Sequence, residues 1–325
     1  MTFIKKHKIL TAIIAILIFL ISFAVGAFIM MTMAMKEGSA VILKEEEITE
    51  EMLLSENVPI IEVAPEYEAG SGELYGDGNV FNVLLIGSDS RDPNSDRGRS
   101  DSMMMVSFNK EENKATLASF LRDTLVDVPG YERTRLGHSF AYGGAGLAIN
   151  TINQTYGLDI QNYIVINFDN LENVIDKIGG IDLNITAEEA RLYQSRGYSY
   201  IHEGMNHLNG ADCLMHARNR SIGNDFERTR RQRDLLFGIY QRVMETKDPA
   251  DMLSLVEYCF SQVKTNMKVS AIYGMALDVI KIENLEVQQI GLPMAGTYQD
   301  VRYDGMAVLE IDVEANKEAL YELLY

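Results

Sequence analysis

A chain of 325 residues that is 47% hydrophobic is long enough for one large or two modest domains with a real core, which excludes a minimal scaffold. Its formal charge of −18 excludes a basic nucleic-acid-binding face as the bulk expectation, so no nucleic-acid partner is read. Two cysteines, Cys213 and Cys259, are too few for a disulfide framework; both lie in apolar helical patterns and read as buried thiols, with a single bridge left open.

The chain opens with a short tail, residues 1–8, containing Lys5, Lys6 and Lys8. Residues 9–35 hold no charge, and that run exceeds the roughly 20 residues a helix needs to cross a bilayer. It is also longer than the roughly 7–15 apolar residues of a cleavable signal peptide, so it reads as an uncleaved membrane anchor. Lysines before the span and acidic residues after it place the N-terminus in the cytoplasm and everything beyond residue 35 outside. Residues 36–79 carry twelve acidic side chains against Lys36 and Lys44, with Pro59, Pro65 and four glycines between 70 and 78. Such a segment buries too little apolar surface to offset its ordering entropy and reads as an extracytoplasmic linker, though residues 60–63 could form an edge strand.

A compact domain is expected over residues 80–325. VFNVLLIG (80–87), SMMMVSF (102–108) and ATLASFL (115–121) are apolar runs of strand length, as is YIVINF (163–168). A helix over 147–156 stops at Gly157, and the glycine-rich segment 142–146 reads as a loop or helix entry. Asp169 with Glu172, and Thr186 with Glu189, give capping signatures for two further helices, the first ending at Gly179 and Gly180. Asp225 opens the longest amphipathic segment, to about Glu245, and Pro249 sits in the first turn of the next helix. Strands near 285–290 and 307–311 and a last helix to Tyr325 complete an α/β reading: a three-layer α/β/α sandwich on a mixed central sheet.

Four clusters carry chemistry. Asp89 follows the first strand in GSDSR, Asp101 and Arg99 lie in GRSD before the second, and Arg122 ends the third in RDT. In open α/β sheets ligands gather at strand ends of this kind. Singly, each aspartate reads more readily as turn chemistry. The fourth cluster is Arg218 and Arg220, followed by the helix from Asp225, on which Arg228, Arg231 and Gln232 share a stripe with Leu235 and Ile239. Arginines at a helix N-terminus oppose its dipole, so a bound anion is the simplest reason for them; Arg230 and Arg233 suit a solvated face better. Arginine grips phosphate through two parallel hydrogen bonds, and Mg2+ takes one or two carboxylates plus substrate oxygens. Together the groups look built for a pyrophosphate, and phosphoryl transfer needs no Ser-His-Asp triad. His202, Glu203 and His207 lack the HExxH spacing of a zinc site, and His138 and His216 read as structural.

GSDSR, GRSD, RDT with VDVPGY, AYGGAGLAINTI, NFDNLENVIDKIGGIDLNI, LNGADCLMHARNR and DFERTRRQR, in that order, resemble the successive blocks of LytR-CpsA-Psr proteins, closely over 80–245. The resemblance implies a transferase that moves a teichoic-acid-like or capsular glycopolymer from a polyprenyl (undecaprenyl) pyrophosphate in the membrane to a peptidoglycan acceptor, assisted by Mg2+. It implies that Asp89 and Asp101 bind the metal, that Arg99, Arg122, Arg218 and Arg220 grip the pyrophosphate, and that Asp225, Arg228 and Gln232 form the helix motif. A pyrophosphatase using water as acceptor, and a non-catalytic regulator that binds polyprenyl phosphates, are the alternatives.

Overall fold

The computed structural model describes residues 80–89, 100–246, 249–267 and 285–325; for residues 101, 249, 250, 252 and 253 it describes the backbone. The anchor read at 9–35, the linker at 36–79 and Arg99 lie outside the described residues. Among the described residues, no helix is long and apolar enough to cross a membrane.

The chain begins with the strands β1 (Val80–Ser88), β2 (Ser100–Asn109) and β3 (Lys114–Phe120). The short strands β4 (Leu125–Val126) and β5 (Thr134–Arg135) lead into α1 (Leu136–Tyr156). Then come β6 (Asn162–Asn167), α2 (Phe168–Lys177), β7 (Ile181–Ile185), α3 (Ala187–Ser195), β8 (Gly204–Leu208) and α4 (Gly210–Ala217). They are followed by α5 (Asp225–Met244), α6 (Pro249–Ser261), β9 (Lys264–Thr265), β10 (Glu286–Leu292), β11 (Tyr298–Tyr303), β12 (Met306–Ile311) and α7 (Val313–Leu324).

The central sheet runs β10-β3-β2-β1-β6-β9. It is mixed: β1 with β6 and β10 with β3 are parallel, and the other neighbours are antiparallel. It follows that β1, β3, β6 and β10 all point one way and end at one end of the sheet. Residues 83–86 of β1 are apolar on both sides of the strand because both faces are covered. Leu84 and Ile86 join Met103, Met105 and Phe120 beneath residues of α1 and α7. Val83 packs on the opposite face with Leu85, Ile164, and Val256 and Phe260 of α6. Around α2 to α5 and the antiparallel β7–β8 pair lies another core, with Ile175, Tyr193, Leu208, Cys213 and Leu235. Each such side chain contributes about 1.5–3 kcal/mol by leaving water.

Local chemistry explains most boundaries. Gly157 ends α1 in the left-handed region at φ 67°, and Thr186 and Glu189 form the reciprocal capping box of α3. One expectation is corrected. The cap of α2 is Asn167, whose side chain accepts from the Asn170 N–H, two residues before Asp169. The segment 142–146 does interrupt α1: Gly143 and Gly144 leave helical geometry, the latter at φ 65° and ψ −156°, and the helix re-enters after them, in keeping with the reading as a loop or helix entry. Cys213 and Cys259 are both free thiols, and burial pushes their pKa values up to about 12 and about 11.

Candidate active site

The shared direction of β1, β3 and β6 determines the site, because each ends in a residue that bears on it. Asp89 follows β1, Arg122 lies just beyond β3, and Phe168 follows β6 as the first residue of α2. Beside them, Arg218 caps the C-terminus of α4, Arg220 lies in the loop after it, and Arg228 and Gln232 project from the first turns of α5. These seven side chains line a polar cavity of about 370 Å3. Four arginines and one carboxylate, Asp89, line it, so the lining is net positive and suits an anion.

Arg122 is held close to the start of α1. The Gly137 N–H donates to the Arg122 carbonyl at 2.8 Å, and a Cβ on Gly137 would stand 3.0 Å from the Arg122 Cβ. Glycine is what allows that approach. Arg122 also lies 3.6 Å from Asp123, which pairs with Arg135 at 3.3 Å. Arg228 reaches Asp225 at 2.6 Å, so Asp225 acts on the site through that arginine and does not line the cavity itself.

A second cavity, of about 290 Å3, lies directly behind the first and is almost wholly apolar. Leu85, Met104, Ile164 and Ile166 of the sheet form one wall, and Leu171, Val174, Leu214, Leu235, Leu236, Ile239 and Phe260 of the helices form the other. Phe168, Arg218 and Gln232 line both cavities. The Arg218 guanidinium lies 4.0 Å from the Phe168 ring centre, within cation–π range. A ligand with a multiply charged head and a long hydrocarbon tail fits this pair of spaces.

Most of the arginine cluster is brought together as the sequence suggests, with two departures. Arg231 does not line either cavity: it is 1% exposed and pairs with Glu189 at 3.1 Å. Position i+3 from Arg228 turns it toward α3, where a carboxylate 42 residues earlier meets it. Arg233 is no solvated side chain either; at 9% exposure it donates to Ser119 Oγ (2.9 Å) and Gln289 Oε1 (3.2 Å) on β3 and β10. Arg230 fits the solvated reading, bonded to Glu227 and Asp234 on its own helix. Each of Arg228, Arg230 and Arg231 thus has an internal carboxylate, which offsets part of their conflict with the helix dipole without any bound anion. Sequence reasoning missed Phe168 and the apolar cavity walls; the position of Phe168 at the end of β6 was the available signal.

For a metal, among the described residues no three His, Cys, Asp or Glu side chains converge. The backbone does bring Asp89 and Asp101 to one place. Ser88 pairs with Ser100 and Gly87 with Ser102, so Asp101 is the extra residue of a bulge beside the end of β1. Aspartate is a residue type whose hard carboxylate oxygens Mg2+ accepts, so the residue types at these two adjoining strand positions fit that ion.

Comparison with known proteins establishes the family. The model of the LytR_cpsA_psr family matches residues 44–323. The chain belongs to the LytR-CpsA-Psr family. The match reaches back into the acidic stretch read as a linker. Among family relatives, the polyisoprenyl-teichoic acid--peptidoglycan teichoic acid transferase TagU of Enterococcus faecalis is 30% identical over 230 residues, 68% of this chain and 74% of that one. The regulatory protein MsrR of Staphylococcus aureus is 27% identical over 259 residues, 78% of this chain and 77% of its own. The solved structure of the LytR-CPS2A-psr family protein YwtF (TagT) with bound octaprenyl pyrophosphate lipid shares the fold, with a TM-score of 0.59 at 22% identity, covering 78% of this chain and 95% of that one.

Proposed function

We propose that this protein is a phosphotransferase that moves a glycopolymer from a polyprenyl pyrophosphate to peptidoglycan on the outer side of the membrane. The observation that carries the reading is the joining of a four-arginine cavity to an apolar one through Phe168, Arg218 and Gln232. That is the shape of a lipid pyrophosphate. The tail would enter between sheet and helices, where each CH2 removed from water contributes about 0.8 kcal/mol. Support from relatives is of the same kind: TagU is named as a transferase of teichoic acid to peptidoglycan, and YwtF holds octaprenyl pyrophosphate.

In the reaction, an acceptor hydroxyl of peptidoglycan attacks the phosphorus next to the polymer. A new phosphorus–oxygen bond forms, the bond to the bridging oxygen breaks, and lipid monophosphate leaves with the electron pair while the hydroxyl gives up its proton. Arg122, Arg218, Arg220 and Arg228 hold the phosphate oxygens and stabilise the charge that grows on them, with Gln232 as a neutral donor. Asp89 and Asp101 would hold Mg2+, which supplies further charge neutralisation on the diphosphate. Arg99, beside Asp101 in the sequence, is assigned to the same grip, and residues 9–35 to a single membrane span with the N-terminus in the cytoplasm.

The test is transfer of a short oligosaccharide from its lipid pyrophosphate to purified peptidoglycan, comparing wild type with Arg218→Ala. Polymer on the acceptor, lipid monophosphate released and a strong loss in the variant are expected. Release of lipid monophosphate without acceptor would make the protein a pyrophosphatase; binding without turnover would leave a regulator or scaffold, the role MsrR is named for.

A further inference from the structure

Behind the loop that carries Arg218 and Arg220 lies a set of enclosed polar side chains that line neither cavity. Glu189 and Arg231 are each 1% exposed and lie 3.1 Å apart. Arg231 uses its other terminal nitrogen on the backbone: Nη2 donates to the Asn219 carbonyl at 2.7 Å and to the Ile222 carbonyl at 3.3 Å. Those carbonyls bracket Arg220. The same short segment is tied by one internal bond and pinned from two more directions. The Ser221 N–H donates to Asn219 Oδ1 at 2.9 Å, Arg196 Nη2 donates to Ser221 Oγ at 2.7 Å, and Asn219 Nδ2 donates to the Tyr193 hydroxyl at 3.3 Å. The Tyr193 hydroxyl in turn meets His216 Nδ1 at 2.9 Å.

The physical need is plain. After α4 ends at Ala217 the chain leaves helical geometry along the surface, but Asn219 is turned inward, and its buried carbonyl requires a donor. One planar guanidinium can serve two carbonyls and a carboxylate at once, which an ammonium cannot do with the same fixed geometry. A buried guanidinium in turn requires a buried carboxylate. Glu189 meets that need with Oε1, while its Oε2 accepts from the Thr186 N–H and hydroxyl, both at 2.9 Å, in the capping box of α3.

We propose that Arg231, held by Glu189, is a positioning residue: it fixes the loop from Arg218 to Ile222 so that Arg218 and Arg220 converge on the polar cavity. The inference rests on the reading of that cavity as a diphosphate site. Arg231 and Glu189 act through the loop, and neither touches the ligand. A merely structural brace would lower stability and leave the affinity of the folded protein unchanged; a positioning residue alters affinity for the diphosphate even when folding is intact.

Arg233 provides the control, being a buried arginine on the same helix whose partners, Ser119 and Gln289, lie on strands away from the loop. The full-length protein in detergent is titrated calorimetrically with geranylgeranyl pyrophosphate and with geranylgeranyl monophosphate, at a temperature where every variant is folded by circular dichroism. Arg231→Lys is expected to weaken pyrophosphate binding by about tenfold or more, and Glu189→Gln by less, because the amide keeps one hydrogen bond but not the charge. Arg233→Lys should bind as the wild type does. Wild-type affinity in both folded Arg231→Lys and Glu189→Gln, or an equal loss in Arg233→Lys, would overturn the proposal; should Arg231→Lys not fold, Glu189→Gln decides alone. A wild type that binds both lipids equally, with Arg218→Ala no weaker, would instead overturn the diphosphate reading beneath it.

Discussion

The Arg218 guanidinium stands 4.0 Å from the centre of the Phe168 ring, where the polar and apolar cavities meet. Two elements distant in sequence supply this contact: Phe168 opens α2 at the end of β6, and Arg218 caps α4. The ring face stabilises the cation by about 0.5–2 kcal/mol and leaves its hydrogen-bonding edge available for oxygen ligands. The same ring forms part of the wall that a hydrocarbon tail would meet.

Phe168→Leu keeps an apolar wall and removes the π face. The expected result is a fall in kcat/KM of roughly tenfold, the equivalent of about 1.4 kcal/mol, with the unfolding midpoint nearly unchanged. Steady-state transfer from a lipid-linked oligosaccharide gives the number. A variant with wild-type kcat/KM would show that the ring merely fills space.

Arg122→Lys tests the fork and not the charge. Its backbone is fixed by the Gly137 N–H at 2.8 Å, so the side chain starts from a defined point beside the cavity. Losing one preorganised donor to a developing anion should lower kcat by about 10²-fold. Rates within a factor of about two of wild type would indicate that a point charge suffices there and that bidentate contact plays no part.

The strands were legible in the sequence because their burial on two faces writes itself as apolar runs, as in VLLI (83–86) of β1. Thr186 and Glu189 were legible because a capping box is local. Arg231 was not. On a helical wheel it shares a half with Arg228 and Gln232, and only Glu189, brought in by the packing of α3, distinguishes a brace from a ligand contact. Arg233 failed for the same reason at longer range, its partners lying 114 and 56 residues away. Phe168 read as the last residue of a strand, and nothing local marks a ring that will sit beneath an arginine 50 positions later.

Asp89→Asn should weaken Mg2+ binding in the presence of a diphosphate ligand and leave folding intact, since Asp89 sits past the end of β1 and outside its apolar core. Isothermal titration of Mg2+ into protein saturated with geranylgeranyl pyrophosphate separates metal from substrate affinity. Equal Mg2+ affinity in wild type, Asp89→Asn and the double variant with Asp101→Asn would rule out the carboxylates as ligands.

His216 makes stability depend on pH in a direction that can be stated in advance. Burial pulls its imidazole pKa down to about 4; Glu189 opposes that shift, and Arg231 and Arg230 add to it. The unfolded chain takes up a proton near pH 6.5 and the folded protein does so only near pH 4. The unfolded state therefore holds more protons across that window. Stability from a neutral His216 is complete above about pH 6.5 and erodes as the pH falls toward 4, by up to about 1.4 kcal/mol per unit. Other histidines act at the same time: His138 is also held low, by burial first, whereas His207 is raised, chiefly by its bond to Asp182, and has the opposite sign. The difference between wild type and His216→Gln isolates the one group. Urea midpoints measured from pH 7.5 to 4 should show a shallower decline in the variant, because its amide can accept from the Tyr193 hydroxyl without titrating. Parallel curves for the two proteins would mean that His216 exchanges its proton equally in both states, and that the network behind the arginine loop is indifferent to acid.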